Sequence, residues 1–127
     1  MRKIFILEDN PDRIKFFKWY FANRDFQLFT TDNVEEAKVI FEKNKPFSLF
    51  LLDHDLDGEF YMNTEDANTG HQFAKFLAGQ NLGKAKIIIH SINPDGAKNM
   101  NALLEGSMLL PFNILANGLI KREITIG

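Results

Sequence analysis

Short apolar runs ending in acids or histidines alternate along the chain with longer stretches whose apolar residues recur every three or four positions. Residues 3–8 form the first such run before Asp9-Asn10-Pro11-Asp12, as expected of a strand buried on both faces that feeds a loop. Asn10 or Asp12 can cap the helix that follows, Pro11 suits its first turn, and Ile14, Phe17 and Phe21 carry its apolar face to about Asn23. Phe26, Leu28 and Thr30 alternate with more polar neighbours as a second strand. Asp32 or Asn33 then caps a second helix with Val34, Ala37, Ile40 and Phe41. Ser48 to Leu52 is a third strand running straight into Asp53-His54-Asp55. The polar stretch from Asp57 to Asn68 is long for a strand-to-helix loop, a length that usually carries function or disorder. Thr69-Gly70 opens a third helix through Phe73, Phe76 and Leu77 to Gly79, and Ala85 to Ile89 is a fourth strand ending at His90-Ser91. Asn93-Pro94-Asp95 begins a fourth helix over Ala97, Met100, Leu103 and Leu104 to about Gly106, and Met108 to Leu110 forms a short fifth strand before Pro111-Phe112. From Asn113 onward the pattern weakens, admitting a short helix, a strand near Ile120 to Ile126, or a mobile tail.

Strands that alternate with helices predict an α/β domain: a parallel sheet covered on both faces by right-handed crossovers. The 127 residues suit one domain, 1–127, and a composition 45% hydrophobic and 25% charged is that of a chain that folds rather than a disordered one. Fifteen Lys and Arg against 17 Asp and Glu leave a net charge of −2, too balanced to draw nucleic acid or an anionic membrane by field alone. Any phosphate chemistry therefore belongs to a local site. The absence of Cys excludes a disulfide scaffold, a thiolate zinc site and a cysteine nucleophile, and it suits a reducing compartment. The run Ile4 to Leu7 is too short for a signal peptide, and no apolar run approaches the ~20 residues of a bilayer span, so a cytoplasmic protein without membrane attachment is expected.

In open α/β sheets, ligands bind beyond the carboxyl ends of the strands. Those ends here carry Glu8 and Asp9, Asp53 to Asp55, and His90 with Ser91. If the first and third strands are neighbours, Glu8, Asp9, Asp53 and Asp55 converge, and their mutual repulsion points to a hard divalent cation, Mg²⁺ or Mn²⁺, on oxygen ligands. Taken singly, Asp9 reads as a turn cap and Asp55 as a solvated loop acid; the set is what suggests metal. The chain has three histidines. His54 and His90 are candidate general acid and base, whereas His71 reads as an ordinary helix residue. Ser91, the amides that open the helices after Asn93 (through Gly96) and after Thr69 (from Gly70) are candidate phosphate donors. Phe16, Phe17, Trp19, Tyr20 and Phe21 wrap more than one face of the first helix, which leaves room for a protein partner beyond the core.

Together these residues resemble a response-regulator receiver domain over about residues 3–112. Glu8 and Asp9 match the family's acidic pair, Asp53 its phosphoacceptor, and Ser91 its Ser/Thr at the end of the fourth strand. The Lys-Pro dipeptide that receivers carry after the fifth strand reads Leu110-Pro111. The chain is more similar still to the divergent cyclic-phosphate-processing receiver domain family, through Asp53-His54-Asp55-Leu56, Thr69-Gly70 and the long segment His90-Ser91-Ile92-Asn93-Pro94-Asp95-Gly96-Ala97-Lys98-Asn99-Met100. The resemblance implies a flavodoxin-like, doubly wound sheet of five parallel strands in the order 2-1-3-4-5, and a role in handling cyclic phosphates.

Three functions follow as expectations. The first is a metal-dependent phosphoesterase that opens cyclic phosphates such as the 2′,3′-cyclic ends of nucleotides or RNA, with Asp53, His54 and His90 as its catalytic residues. The second is a signalling receiver phosphorylated on Asp53, which the missing lysine opposes. The third is a phosphate-binding or protein-docking domain without turnover. A flavin site is disfavoured because the loop Asp9 to Asp12 is acidic where a flavin phosphate needs donors.

Overall fold

The computed structural model describes residues 1–58, 63 and 65–124. Its elements run β1 (Arg2–Leu7), α1 (Pro11–Phe21), β2 (Phe26–Thr31), α2 (Val34–Asn44), β3 (Leu49–Leu52), α3 (Gly70–Ala78), β4 (Lys86–Ile89), α4 (Pro94–Leu103), β5 (Met108–Leu109) and α5 (Phe112–Ile120). The five strands are parallel and ordered β2-β1-β3-β4-β5.

Side-chain parity along the strands builds two cores. Ile4 and Ile6 of β1, Leu49 and Leu51 of β3 and Ile88 of β4 pack on one face with Phe17 and Phe21 of α1 and Leu115 and Leu119 of α5. Phe5, Leu7, Phe50, Leu52, Ile87 and Ile89 pack on the other face with α2, α3 and α4. The pairing Leu7↔Leu52↔Ile89 fixes this register, because a one-residue slip would drive every apolar side chain to the wrong face. It also brings the ends of β1, β3 and β4 level.

Asparagines start three of the helices. Asn10 accepts from the Asp12 and Arg13 amides, Asn33 from Glu36, and Asn93 from Gly96, so Asn10 and Asn33 are the caps among the alternatives that the sequence offers. The segment after Asn113 resolves as the helix alternative. Leu115 and Leu119, four residues apart, are buried against the sheet, and the chain beyond Ile120 turns so that Ile124 packs against Gly118. This excludes a strand starting at Ile120; residues 125–127 lie outside the described part. No helix among the described residues is long and apolar enough to cross a membrane.

The chain leaves β1 toward β2 and later crosses back to β3 on the other side of β1. The reversal of strand order therefore lies between β1 and β3, where a crevice opens beyond their carboxyl ends.

Candidate metal and phosphate site

Glu8 and Asp9 follow β1 directly, and Asp53 follows β3, held there by the hydrogen bond that its backbone N–H donates to the Leu7 carbonyl at 3.0 Å. One oxygen from each of Glu8, Asp9 and Asp53 lies within 4.8 Å of the others. They stand at a cleft of about 160 Å³ whose lining includes Asp9, Asn10, Arg13, Asp53, Asp55 and Ile92. A larger concavity, about 790 Å³, lies at the far ends of α1 and α5 and is lined by residues such as Trp19, Arg24 and Arg122, with no carboxylate or imidazole among its described lining. The candidate site is therefore the smaller cleft.

Each carboxylate is held by a donor from a different part of the chain. Glu8 accepts the Asp9 and Asn10 amides on Oε2 at 3.0 and 3.1 Å and His90 Nε2 on Oε1 at 2.7 Å. Asp53 Oδ1 accepts the His54 amide at 2.8 Å. Asp9 Oδ2 accepts the amide of Gly58 at 2.7 Å, made possible by the positive φ of that glycine, +75°.

These environments drive the three acids apart in affinity for a proton. Burial alone would raise Glu8, but the hydrogen bond and positive charge of His90, the Asn10 amide and the Arg13 charge outweigh it and hold the carboxyl down at about 2. Burial pushes Asp53 up to about 7, with the negative charge of Glu8 adding to the rise and His90, the His54 amide and Arg13 opposing it. Asp9 is also raised, by burial and by Glu8. Added positive charge in the cleft would relieve this crowding.

The two candidate catalytic histidines sit at the same end of the sheet on opposite faces. His90 continues the parity of Ile88, contacts Phe17 and Phe112 edge-on at 5.5 and 6.3 Å between ring centres, and backs Glu8. His54 continues the parity of Leu52 toward α4 and donates from Nδ1 to Asp55 Oδ1 at 2.7 Å, with Asn93 Nδ2 as the second donor to that oxygen at 3.2 Å. Both rings are fully buried. Of the two candidate acid/base groups, His90 bonds Glu8 and His54 bonds Asp55, so a carboxylate stands beside each ring. His71 lies on the first turn of α3, outside the cleft lining, and its pKa is lowered by burial and by the charges of Lys75 and His54.

Several residues expected to bind phosphate have other tasks. The Gly70 amide donates to the His54 carbonyl at 2.8 Å, and the Gly96 amide is consumed by the Asn93 cap at 3.0 Å. Thr69 is buried, with its hydroxyl donating to the Asp66 carbonyl, and the Asn93 side chain is divided between cap and Asp55. Ser91 accepts the Asn93 amide and lines a separate groove beside β5 rather than the acidic cleft. Asp55 lines the cleft but stands outside the three-carboxylate cluster. The glycines matter because they are small: a Cβ on Gly70 would overlap the Asp53 carbonyl oxygen, and one on Gly96 would overlap the His54 ring. Gly70→Ala is expected to destabilise by about 3 kcal/mol or more, because backbone must move to admit the methyl; urea unfolding measures it, and a loss below about 1 kcal/mol would show that the backbone yields easily.

Arg13 also lines the cleft, although it is not among the candidates named from sequence. Its guanidinium Nη1 stands 3.6 Å from Glu8 Oε1 and 3.8 Å from Asp53 Oδ2. A signal existed: an arginine in the first turn of a helix opposes the helix dipole, so its placement there implies an acidic counterpart nearby.

The sequence profile described as "Cyclic-phosphate processing Receiver domain" matches residues 5–106. The chain belongs to this family. No curated protein matches it. Among solved structures, this receiver is similar to a response regulator receiver protein from Pseudomonas putida, with 17% identity, TM-score 0.65 and coverage of 95% of this chain and 96% of that one. It is also similar to the Mn(2+)-bound form of response regulator Rcp1, with 13% identity, TM-score 0.69 and coverage of 100% and 99%. Response regulator TrrA from Thermotoga maritima, in complex with Mg(2+)-BeF, gives 19% identity, TM-score 0.67 and coverage of 98% and 100%. At these identities the likeness shows the receiver fold, whose five-stranded order this chain shares.

Proposed function

We propose that this receiver domain holds Mg²⁺ or Mn²⁺ on Glu8, Asp9 and Asp53 and opens a cyclic phosphodiester, such as the 2′,3′-cyclic end of a nucleotide or RNA, to a phosphomonoester. The observation that carries the reading is the convergence of the three carboxylates within 4.8 Å, in a chain of the cyclic-phosphate processing family. The donor set fits a hard cation: all three candidate ligands are carboxylate oxygens, and burial, with the charge of Glu8, pushes Asp53 up to about 7. The Mn(2+) and Mg(2+) in the two structural relatives add support for a divalent ion. When bound, such an ion neutralises the acids and polarises a phosphoryl oxygen.

In this reading water adds to phosphorus as one ring P–O bond breaks; one proton leaves the attacking water, and solvent water supplies one to the departing oxygen. Asp55, at the cleft wall, takes the proton from water, and His54 behind it, 2.7 Å away, steadies the carboxylate that does so. His90 orients Glu8 rather than meeting substrate. His90→Ala is accordingly expected to weaken Mg²⁺ binding by about 10- to 100-fold, as loss of an outer-shell partner does; titration calorimetry checks it, and unchanged affinity would leave the His90 bond without a role in the metal site.

The experiment that tests the reaction is a ³¹P NMR time course on a panel of 2′,3′-cyclic nucleotides with Mg²⁺ or Mn²⁺. Conversion of the cyclic resonance to a monoester resonance, dependent on metal, is the expected result; an unchanged cyclic resonance with every substrate and both metals would overturn it. The position of Asp53 at the end of β3 favours a second reading, a signalling receiver, for which acetyl phosphate would give a lasting phosphoryl mass adduct that Asp53→Asn abolishes. Leu110 opposes that reading, since no lysine stands where receivers use one.

A further inference from the structure

We infer that Arg13 grips the phosphoryl group, taking over from helix α1 the task that receivers give to the lysine missing at Leu110. The inference rests on reading the acidic cleft as a phosphate site. Arg13 is the one basic side chain among the described residues lining that cleft. Leu110 has left the site altogether: it packs with the core on the α1 and α5 face.

The geometry suits a residue that changes partners. At 3.6 and 3.8 Å from Glu8 and Asp53, Nη1 is close enough for attraction but beyond hydrogen-bond distance, so the guanidinium is held near the acids without being locked to them. Its other support is Phe112, whose ring centre lies 5.2 Å from the guanidinium carbon. Phe112 follows Pro111 and opens α5, so a cation from α1 is steadied by the first residue of the helix after β5. The side chain is only 15% exposed and stays at the cleft.

A divalent cation on the three carboxylates would weaken the hold of Glu8 and Asp53 on the guanidinium. Its planar fork then matches two oxygens of a phosphoryl group, a pairing that a lysine makes only as a point charge. Arg13 would contact substrate, and its loss should appear in substrate binding before it appears in metal binding.

The test is calorimetric titration of the wild type, Arg13→Gln and Arg13→Lys, first with Mg²⁺ alone and then, at saturating Mg²⁺, with 2′,3′-cyclic AMP and with inorganic phosphate. Arg13→Gln is expected to weaken binding of the cyclic nucleotide by about 10- to 100-fold, with Mg²⁺ affinity unchanged or tighter. Arg13→Lys should fall between the two. If Arg13→Gln does not fold, Arg13→Lys carries the test, and equal nucleotide affinity in that variant and the wild type counts against the proposal. If Arg13→Gln binds nucleotide within about twofold of wild type while Mg²⁺ binds more tightly, Arg13 is only a counter-charge to the acids and the proposal falls alone. If the wild type takes up Mg²⁺ but neither phosphate compound, the phosphate reading of the cleft falls and this inference with it.

Discussion

Asp53→Asn is expected to slow the opening of a 2′,3′-cyclic nucleotide by at least about 10³-fold, because the variant loses one of the three carboxylates proposed to hold the metal and with it several kcal/mol of stabilisation for the charge that develops at phosphorus. The substitution is nearly isosteric. An asparagine oxygen at position 53 can still accept the His54 amide that Asp53 Oδ1 accepts at 2.8 Å, so the loss reports charge rather than misfolding. Single-turnover rates at saturating Mg²⁺ provide the measurement, with calorimetry giving the accompanying loss of metal affinity. A rate within tenfold of wild type under those conditions would remove Asp53 from the chemistry.

The second large effect is on stability, and its sign is the reverse of that of an aspartate held down by a partner. Asp53 titrates at about 7 in the fold against 3.8 for the free side chain. Between those values the native state keeps a proton that the unfolded state has released, so without metal the protein loses stability as pH rises through this window and levels off above 7. The loss is on the order of 4 kcal/mol, with the Asp53 side chain too buried for solvent to screen it. The raised Asp9 acts in the same direction. Glu8 works at the other end of the scale: held down at about 2 against 4.5, it contributes stability that is present above pH 4.5 and lost as pH falls toward 2. Urea unfolding in EDTA at pH 5, 6, 7 and 8 should therefore show declining stability. Mg²⁺ at a hundred times its dissociation constant should restore about 2.7 kcal/mol at pH 8. Stability that is flat or rising from pH 5 to 8 in EDTA would contradict this account.

Most of the fold was legible because a strand buried on both faces must be apolar throughout. Ile4 to Leu7, Leu49 to Leu52 and Ile87 to Ile89 could hardly be anything else, and the residues that break each run mark the strand ends where a site collects. The convergence of Glu8, Asp9 and Asp53 was legible for the same reason. What the sequence hid was the direction of side chains beyond those ends. Counting parity past Ile88 and Leu52 would have placed His90 and His54 on opposite faces, yet nothing in the pattern says that Glu8 and Asp55 stand between the imidazoles and the cleft. Gly70 and Gly96 looked like anion-binding helix starts because that motif is defined by backbone, whereas here the decisive contacts are the Asp53 carbonyl and the His54 ring. The final helix was obscured because its apolar residues are crowded around Asn113 and Asn117 with no capping side chain ahead of them.

Phe112 touches more of this site than its place outside the carboxylate cluster suggests. The same ring lies against Arg13 at the cleft, against His90 behind Glu8, and against Phe16 and Phe17 of α1. The cation in front of Glu8 and the imidazole behind it thus share one wall. Substitutions at positions 13 and 90 are consequently not independent: a thermodynamic cycle between them has a cross term, and the energies of the single changes cannot simply be summed.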